Sequence, residues 1–288
     1  MPVQTANPLV RLVSVALAAW VCAACSAAPV PAQLTVGAAP GGESALLAQV
    51  YAAALGYFGT SAQVRTVGDP LVALDTDVTV APGLTGQILT RLVPNPAARA
   101  DEQVYRSMIS ALPEGVAAAD YTTGAADKPA IAVRADAAKG WGVSDISTLM
   151  TRCGRLTAGL NFGAVAGLGH PVRIGTCVLP AAREFADTAA LFAALKSGVV
   201  NAAWTTTATP GLPDAMVLLT DHTSLIRAEN VVPLYRRNEL TEQQVLALNG
   251  IAGELDTSAL TAMNAQVNRG ADPAAVAAAW LAQHPLDH

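Results

Sequence analysis

The sequence predicts an α/β protein built on a mostly parallel sheet with helices on both faces and closed by a helical C-terminal segment. Three observations carry that reading. From Leu34 onward, short apolar runs alternate with stretches of helical spacing. Beyond Thr241, capped helical patterns follow one another with no strand between them. The 255 residues from Leu34 to His288 suffice for one large or two medium domains with a sizeable core.

The strand candidates are Leu34 to Ala38, Gln63 to Thr66, Asp77 to Ala81, Ala130 to Val133, Leu156 to Leu160, Val199 to Thr205 and Met216 to Leu219. Helical patterns separate most of them. Glu43 to Leu55 places Leu46, Leu47, Val50, Ala54 and Leu55 on one face, and Asp101 to Leu112 does the same with Val104, Tyr105, Met108, Ile109 and Leu112. A further helix spans Thr188 to Lys196. Pro40-Gly41-Gly42 forms a flexible turn before Glu43 and Ser44, an acid and a hydroxyl in a first helical turn where backbone N–H groups are unpaired. This strand, turn and helix make a candidate ligand edge, because open α/β sheets bind at the carboxyl ends of their strands.

Thr241 and Gln244 form a capping box before Val245, Leu248, Ile251 and Leu255. Asp256 or Thr257 opens a second helix with Leu260, Met263 and Val267, stopped by Gly270. Asp272-Pro273 opens a third with Val276, Ala277, Trp280 and Leu281, its proline at the first helical position.

The N-terminus sets the compartment. Arg11 precedes an uncharged apolar run from Leu12 to Ala24 that ends in small residues, which reads as a signal peptide over residues 1–24. The run is shorter than the roughly 20 apolar residues a membrane span needs. Cys22-Ala23-Ala24-Cys25 resembles a lipobox, so Cys25 is the expected lipidation site and new N-terminus; plain secretion is the alternative. Residues 25–33 are rich in Ala and Pro and read as a tether. Location on the extracytoplasmic face of the cell membrane favours a disulfide between Cys153 and Cys177, against the alternative of two buried free thiols.

A net charge of −5 with 14% charged residues leaves no basic stripe for nucleic acid. His170, His222, His284 and His288 show no metal-ligand or triad spacing. Gly167-x-Gly169 is a lone pair of turn glycines, and no nucleophile elbow, zinc-protease helix or phosphate loop occurs. An enzyme, a metal site and a cofactor are therefore not expected.

Ordered motifs from Leu34 to Leu286 resemble the substrate-binding proteins of glycine betaine and related osmoprotectant importers. The first are Val36-Gly37, Glu43-Ser44 with Ala48-Gln49-Val50-Tyr51, Ala73-Leu74 and Pro82-x-x-Thr85-Gly86. Ala126-Asp127, Trp141 to Ile146, Ala194-Leu195-x-x-Gly198 and Thr206-Thr207 follow. Asn230-x-x-Pro233-Leu234 and the closing helices, with Asn249, Leu260, Asn264 and Asp272-Pro273, complete the set. The resemblance implies a two-lobed periplasmic-binding-protein type II fold with two crossover strands, which closes on a ligand between its lobes. It places lobe one at 34–123 plus 222–288 and lobe two at 124–221.

The implied function is delivery of a small neutral or zwitterionic solute to an ABC importer permease. The alternative is a binding fold that has lost transport and acts through protein contacts at the envelope. The aromatic cage that usually holds a quaternary ammonium is incomplete here. Gly41, Gly83-Leu84 and Glu229 stand where the family often has aromatics. The candidate ligand-binding residues are Asp127, Thr206, Thr207, Asn230, Ser44 and Trp204, with Tyr121 and Phe162 as further stacking faces and Trp141 assigned to packing. For Asp127 the competing reading is a turn aspartate before Pro129, for Ser44 a helix cap, and for Trp204 a core residue.

Overall fold

A computed structural model describes, apart from Met1, residues 33–161 and 173–286. The signal peptide, Cys25, Phe162, Gly167, Gly169, His170 and His288 lie outside the described residues.

The described residues form two five-stranded sheets and a small two-stranded one, β7 (Arg173–Ile174) with β8 (Cys177–Val178). The first is ordered β2 (Ala62–Thr66), β1 (Leu34–Ala38), β3 (Val80–Leu84), β12 (Val231–Arg236) and β4 (Val116–Ala118). The second is ordered β11 (Met216–Leu218), β5 (Pro129–Arg134), β10 (Ala202–Thr206), β6 (Ala158–Asn161) and β9 (Arg183–Phe185). A strand overlaps each of the seven expected runs, though β3 starts at Val80 rather than Asp77 and β10 at Ala202 rather than Val199, and the five-stranded sheets are mixed rather than mostly parallel. β1 runs parallel to β2 and β3, and β6 to β9 and β10, whereas β12 is antiparallel to β3 and β4, and β5 to β10 and β11. The antiparallel pairs arise where the chain passes between sheets, since β5 and β12 are the strands it enters directly from a crossover.

Each five-stranded sheet is covered on both faces. On one side of the first lies α1 (Gly42–Tyr57), packed in turn by α8 (Glu242–Glu254), α9 (Thr257–Asn268) and α10 (Pro273–Gln283). Because α1 is sandwiched between sheet and helices, Ala48, Tyr51 and Ala52 are buried along with its expected apolar face. The three C-terminal helices begin where their caps predict: Thr241 and Gln244 form the reciprocal capping box, while Asp256 and Asp272 accept hydrogen bonds from first-turn N–H groups.

The opposite face of the first sheet is covered by α2 (Pro70–Ala73), α3 (Thr85–Leu92) and α4 (Asp101–Ala111). Of the face expected on α4, Val104 and Met108 are buried but Ile109 is exposed. In the second sheet α5 (Ala135–Trp141) and α6 (Ile146–Met150) cover one face and α7 (Thr188–Ser197) the other. Cys153 and Cys177 are bonded, with Cα atoms 5.8 Å apart and a sequence separation of 24.

β12 and α3 show how distant residues shape local structure. Pro233 of β12 lies opposite Pro82 of β3, so neither needs to donate at that position, and the proline carbonyl instead accepts from Ala119 N–H at 3.0 Å. α3 has no cap from its own N-cap residue, Leu84. Glu229 supplies one from 142 residues away: its carboxyl accepts from Gln87 N–H at 2.8 Å and from Gly86 N–H. Gly86 is required there, since a Cβ would stand 2.4 Å from Glu229 Oε1 and 2.5 Å from the Ala228 carbonyl.

Two stability predictions follow from this packing. Gly86→Ala should destabilise by about 1–3 kcal/mol, as overpacking against backbone and a buried carboxyl does, read as a lowered denaturant midpoint. The double variant Cys153→Ser/Cys177→Ser should lose about 3 kcal/mol, the chain-entropy value for a loop of this size. A midpoint unchanged by reductant in the wild type would contradict it.

Candidate functional site

Between the sheets lies a cavity of about 1070 Å³, at the large end of small-molecule sites and roomy enough for a cleft that narrows around its ligand. Its walls are the carboxyl ends of strands from both sheets. The first sheet contributes the turn after β1 from Ala39 to Ser44, Asp69 to Leu71 beyond β2, and Pro82 to Leu84 of β3. The second contributes Asn161 at the end of β6 and Thr206 to Gly211 after β10, except Thr207. Helices close the remainder through Gln87 and Arg91 of α3, Thr188 and Phe192 of α7, and Asn264 and Asn268 of α9.

Gly41 opens the first turn at φ 134°, a conformation that glycine alone adopts readily. A Cβ there would meet no heavy atom within 4 Å, so backbone geometry rather than crowding sets this residue. Ser44 lines the cavity, but its Oγ already accepts from Ala39 N–H at 2.8 Å and fixes the turn.

The chemical centre is a pair of carboxyl groups. Asp127, 5% exposed, projects from the first crossover and accepts from Ala208 N–H at 2.8 Å and from the Thr206 hydroxyl. Its other contact is Glu43, from the first turn of α1, which in turn accepts from Asn264 Nδ2 at 3.0 Å. Burial, then the neighbouring Asp127 charge, pushes the Glu43 carboxyl up to about 8. Burial also raises Asp127, against the hydrogen bonds from Thr206, Ala208 and Glu43 that favour its carboxylate. Glu43 therefore carries the proton and donates it to Asp127, and the pair holds one negative charge at neutral pH.

Glu229, on the second crossover, is likewise pushed up to about 8 by burial, partly offset by its bonds to Gln87 and Gly86. Arg91 pairs with Asp69 on the cavity wall. Among the described residues no group of three His, Cys, Asp or Glu side chains could hold a metal ion. Nor is any helix there long and apolar enough to cross a membrane.

The structure thus brings Asp127, Thr206 and Ser44 to the cavity and gives the other three candidates different surroundings. Thr207, in the turn just beyond the end of β10, does not line the cavity. Its hydroxyl donates to Ala126 O at 2.8 Å and accepts from Lys128 N–H at 3.1 Å. Asn230 joins the crossovers: its Nδ2 donates to Thr122 O at 2.9 Å and its N–H to Thr85 Oγ1 at 3.1 Å, while Oδ1 is buried without a hydrogen bond. Trp204 is 2% exposed in the core against α5 and α6. Tyr121 packs on Tyr105, ring centres 4.5 Å apart, and Trp141 lies under Arg152 beside the core.

Among the described residues Phe192 is the one aromatic side chain lining the cavity. Sequence reasoning missed Glu43 and Asn264 as site residues. Glu43 reads locally as an ordinary first-turn acid, and its partner lies on another element.

The comparisons agree with this architecture. No curated protein matches the sequence. Among solved structures, a glycine betaine/carnitine/choline ABC transporter protein matches with 14% identity and TM-score 0.73, over 88% of this chain and 98% of that one. Apo YehZ from Escherichia coli matches with 20% identity and TM-score 0.69, over 89% and 100%. Lactococcal OpuAC in its closed, glycine betaine-bound conformation matches with 14% identity and TM-score 0.51, over 88% and 96%. Identities this low establish the fold, the two-lobed type II periplasmic-binding-protein architecture, and not the ligand. The family model for the substrate-binding domain of ABC-type glycine betaine transport systems matches residues 32–283, and the chain belongs to that family.

Proposed function

We propose that this chain is the extracytoplasmic receptor of an ABC importer, a lipoprotein anchored through Cys25 by the 25–33 tether, that closes on a small neutral or zwitterionic solute. The observation that carries the reading is the cleft itself: a cavity of about 1070 Å³ walled by the strand ends of both sheets, in a chain of this family. A cleft filled by its own side chains would favour action through protein contacts alone, and the open cavity argues against that alternative. In this reading the lobes comprise residues 34–123 with 222–288 and residues 124–221. Asp127 and Thr206 contact the ligand, Ser44 holds the turn beside it, and Thr207 and Asn230 serve the hinge.

The Asp127 carboxylate offers the ligand the strongest acceptor in the cleft, since hydrogen bonds to a buried charge exceed neutral ones. A thermal-shift panel of betaines, amino acids, sugars and aromatic polyols tests the reading, because a ligand that binds only the folded state raises the melting temperature. At least one class should do so, and Asp127→Asn should weaken that ligand about tenfold or more. No response from any class would overturn solute capture. The anchor is tested separately, by palmitate labelling of the exported protein, which Cys25→Ser should abolish.

The carboxyls also give the empty protein a pH signature. Glu43 and Glu229 bind protons more tightly folded than unfolded, their native values standing at about 8 against ordinary values near 4.3. The stabilisation from holding those protons is complete below the unfolded value and is lost as pH rises through about 8. Melting temperature should therefore fall from pH 5 to pH 8, and Glu43→Gln should flatten part of that slope.

A further inference from the structure

The cleft holds two carboxyl groups in hydrogen-bond contact, and among the described residues no lysine or arginine pairs with either. We infer that the solute carries a hydrogen-bond-donating cation, a primary or secondary ammonium or a guanidinium, which seats between Glu43 and Asp127 and displaces the proton they share. The inference rests on the reading of the chain as a solute receptor and adds the chemistry of the ligand's charged end.

The geometry favours N–H donors over a permethylated nitrogen. A quaternary ammonium has no proton to donate and is held by the faces of several aromatic rings. The described cavity lining supplies one ring, Phe192, on α7. It supplies acceptors in greater number. Each carboxylate has two oxygens with two acceptor sites apiece, and the protein occupies only part of them: Ala208 N–H on Asp127 Oδ1, the Thr206 hydroxyl on Asp127, and Asn264 Nδ2 on Glu43 Oε2.

The charges around the pair point the same way. Beyond Asn264 of α9 and Thr206 of β10, the facing ionisable group is Glu229, an acid that can add only charge of the same sign as that of Asp127. Arg269, exposed at the end of α9 on the cavity wall, forms no ion pair with either carboxyl, and the other nearby cations are engaged elsewhere. Lys128 pairs with Asp221 at 3.0 Å, Arg91 with Asp69, and Arg227 donates to Thr90 Oγ1 and to the Pro96 and Ala98 carbonyls. The positive charge that would balance two ionised carboxylates is left to the ligand.

Binding is then an exchange that balances. An ammonium arrives protonated from solution; the Glu43 O–H bond breaks, its proton leaves to buffer, and no other covalent bond changes. The bound state holds two carboxylates against one cation, and the empty state holds the same net charge, with a proton where the cation sits.

Titration calorimetry on the purified full-length chain tests this with the series glycine, sarcosine, dimethylglycine and glycine betaine, and with ethanolamine against choline. Affinity should fall with each added methyl, by about tenfold or more from the primary amine to the permethylated member, because each methyl removes a charge-assisted donor. Titrations in phosphate and Tris at pH 7 should show close to one proton released per amine bound. The apparent affinity should rise about tenfold per pH unit from pH 6 and level off near pH 8, as release of one proton requires.

In Glu43→Gln, whose amide can still donate to Asp127, proton release and the preference for N–H donors should both disappear. The wild-type pH profile keeps the test decisive if that variant fails to fold. Tighter binding of glycine betaine or choline than of their unmethylated counterparts, or amine binding without proton release, overturns the inference. Binding of sugars or polyols in place of every amine overturns it too, while leaving solute capture intact. A protein that binds nothing in the panel loses both readings.

Discussion

The two passages between the sheets meet as a short antiparallel ladder, and the rest of the cleft is positioned by that meeting. Asp127 N–H donates to Glu229 O at 2.9 Å and Val231 N–H to Ala125 O at 3.2 Å, with Ala126 facing Asn230. A buried backbone group left unpaired costs about 1–3 kcal/mol, so side chains complete what the ladder cannot reach. The Thr122 hydroxyl bonds the Ala125 and Val231 carbonyls, Thr207 takes Ala126 O and Lys128 N–H, and Thr257 of α9 accepts from Ala126 N–H. Lys128 and the buried Asp221 pair across the two passages at their second-sheet end. Alternation along the first passage then turns Asp127 into the cleft. The second passage carries Glu229 to the start of α3, so the hinge sets both the acidic centre and one wall.

That division of labour explains which residues could be read from the sequence. The C-terminal helices were legible because their signals are local: Thr241, Asp256 and Asp272 cap segments that begin within three residues of them. The seven strands were legible as apolar runs, but their directions were not. β5 and β12 enter their sheets from crossovers, and nothing in a run of Val, Ile and Ala marks the partner's direction. β12 was hidden by Pro233, acceptable only because Pro82 faces it. α3 was hidden because its cap, Glu229, lies 142 residues away. In the site the loops were found before the side chains were. Thr206 and Thr207 were indistinguishable as a pair until the strand placed one in the cavity and the other in the hinge. Glu43 looked like a helix-dipole acid until Asp127 and Asn264 closed around it.

The positions that depart from the family's aromatic pattern have acquired other duties. Glu229 caps α3 and requires a glycine at 86 to do so. Gly41 makes a turn at φ 134° that a ring-bearing residue would adopt only under strain. These are not neutral losses of a cage, because restoring an aromatic at either place would disturb a helix start or a turn. The cleft walls carry hydrogen-bonding groups instead: Asn161, Thr188, Thr206, Thr209, Asn264 and Asn268 all line it.

A buried acidic pair without a counter-ion is a costly thing to keep in an empty protein, since two carboxylates in contact repel and each resists desolvation. Sharing one proton lowers that cost, and the hydrogen bonds from Ala208, Thr206 and Asn264 hold the pair in place while it waits. Replacing the pair by apolar side chains of similar size would stabilise many folds; its presence here on the wall of the cleft, rather than in either sheet's core, is why we propose a ligand role for it. Closing the lobes would remove water from around these charges and strengthen their hold on whatever replaces the proton. The same closure would penalise a partner unable to satisfy them, so affinity and selectivity would rise together from one arrangement of side chains.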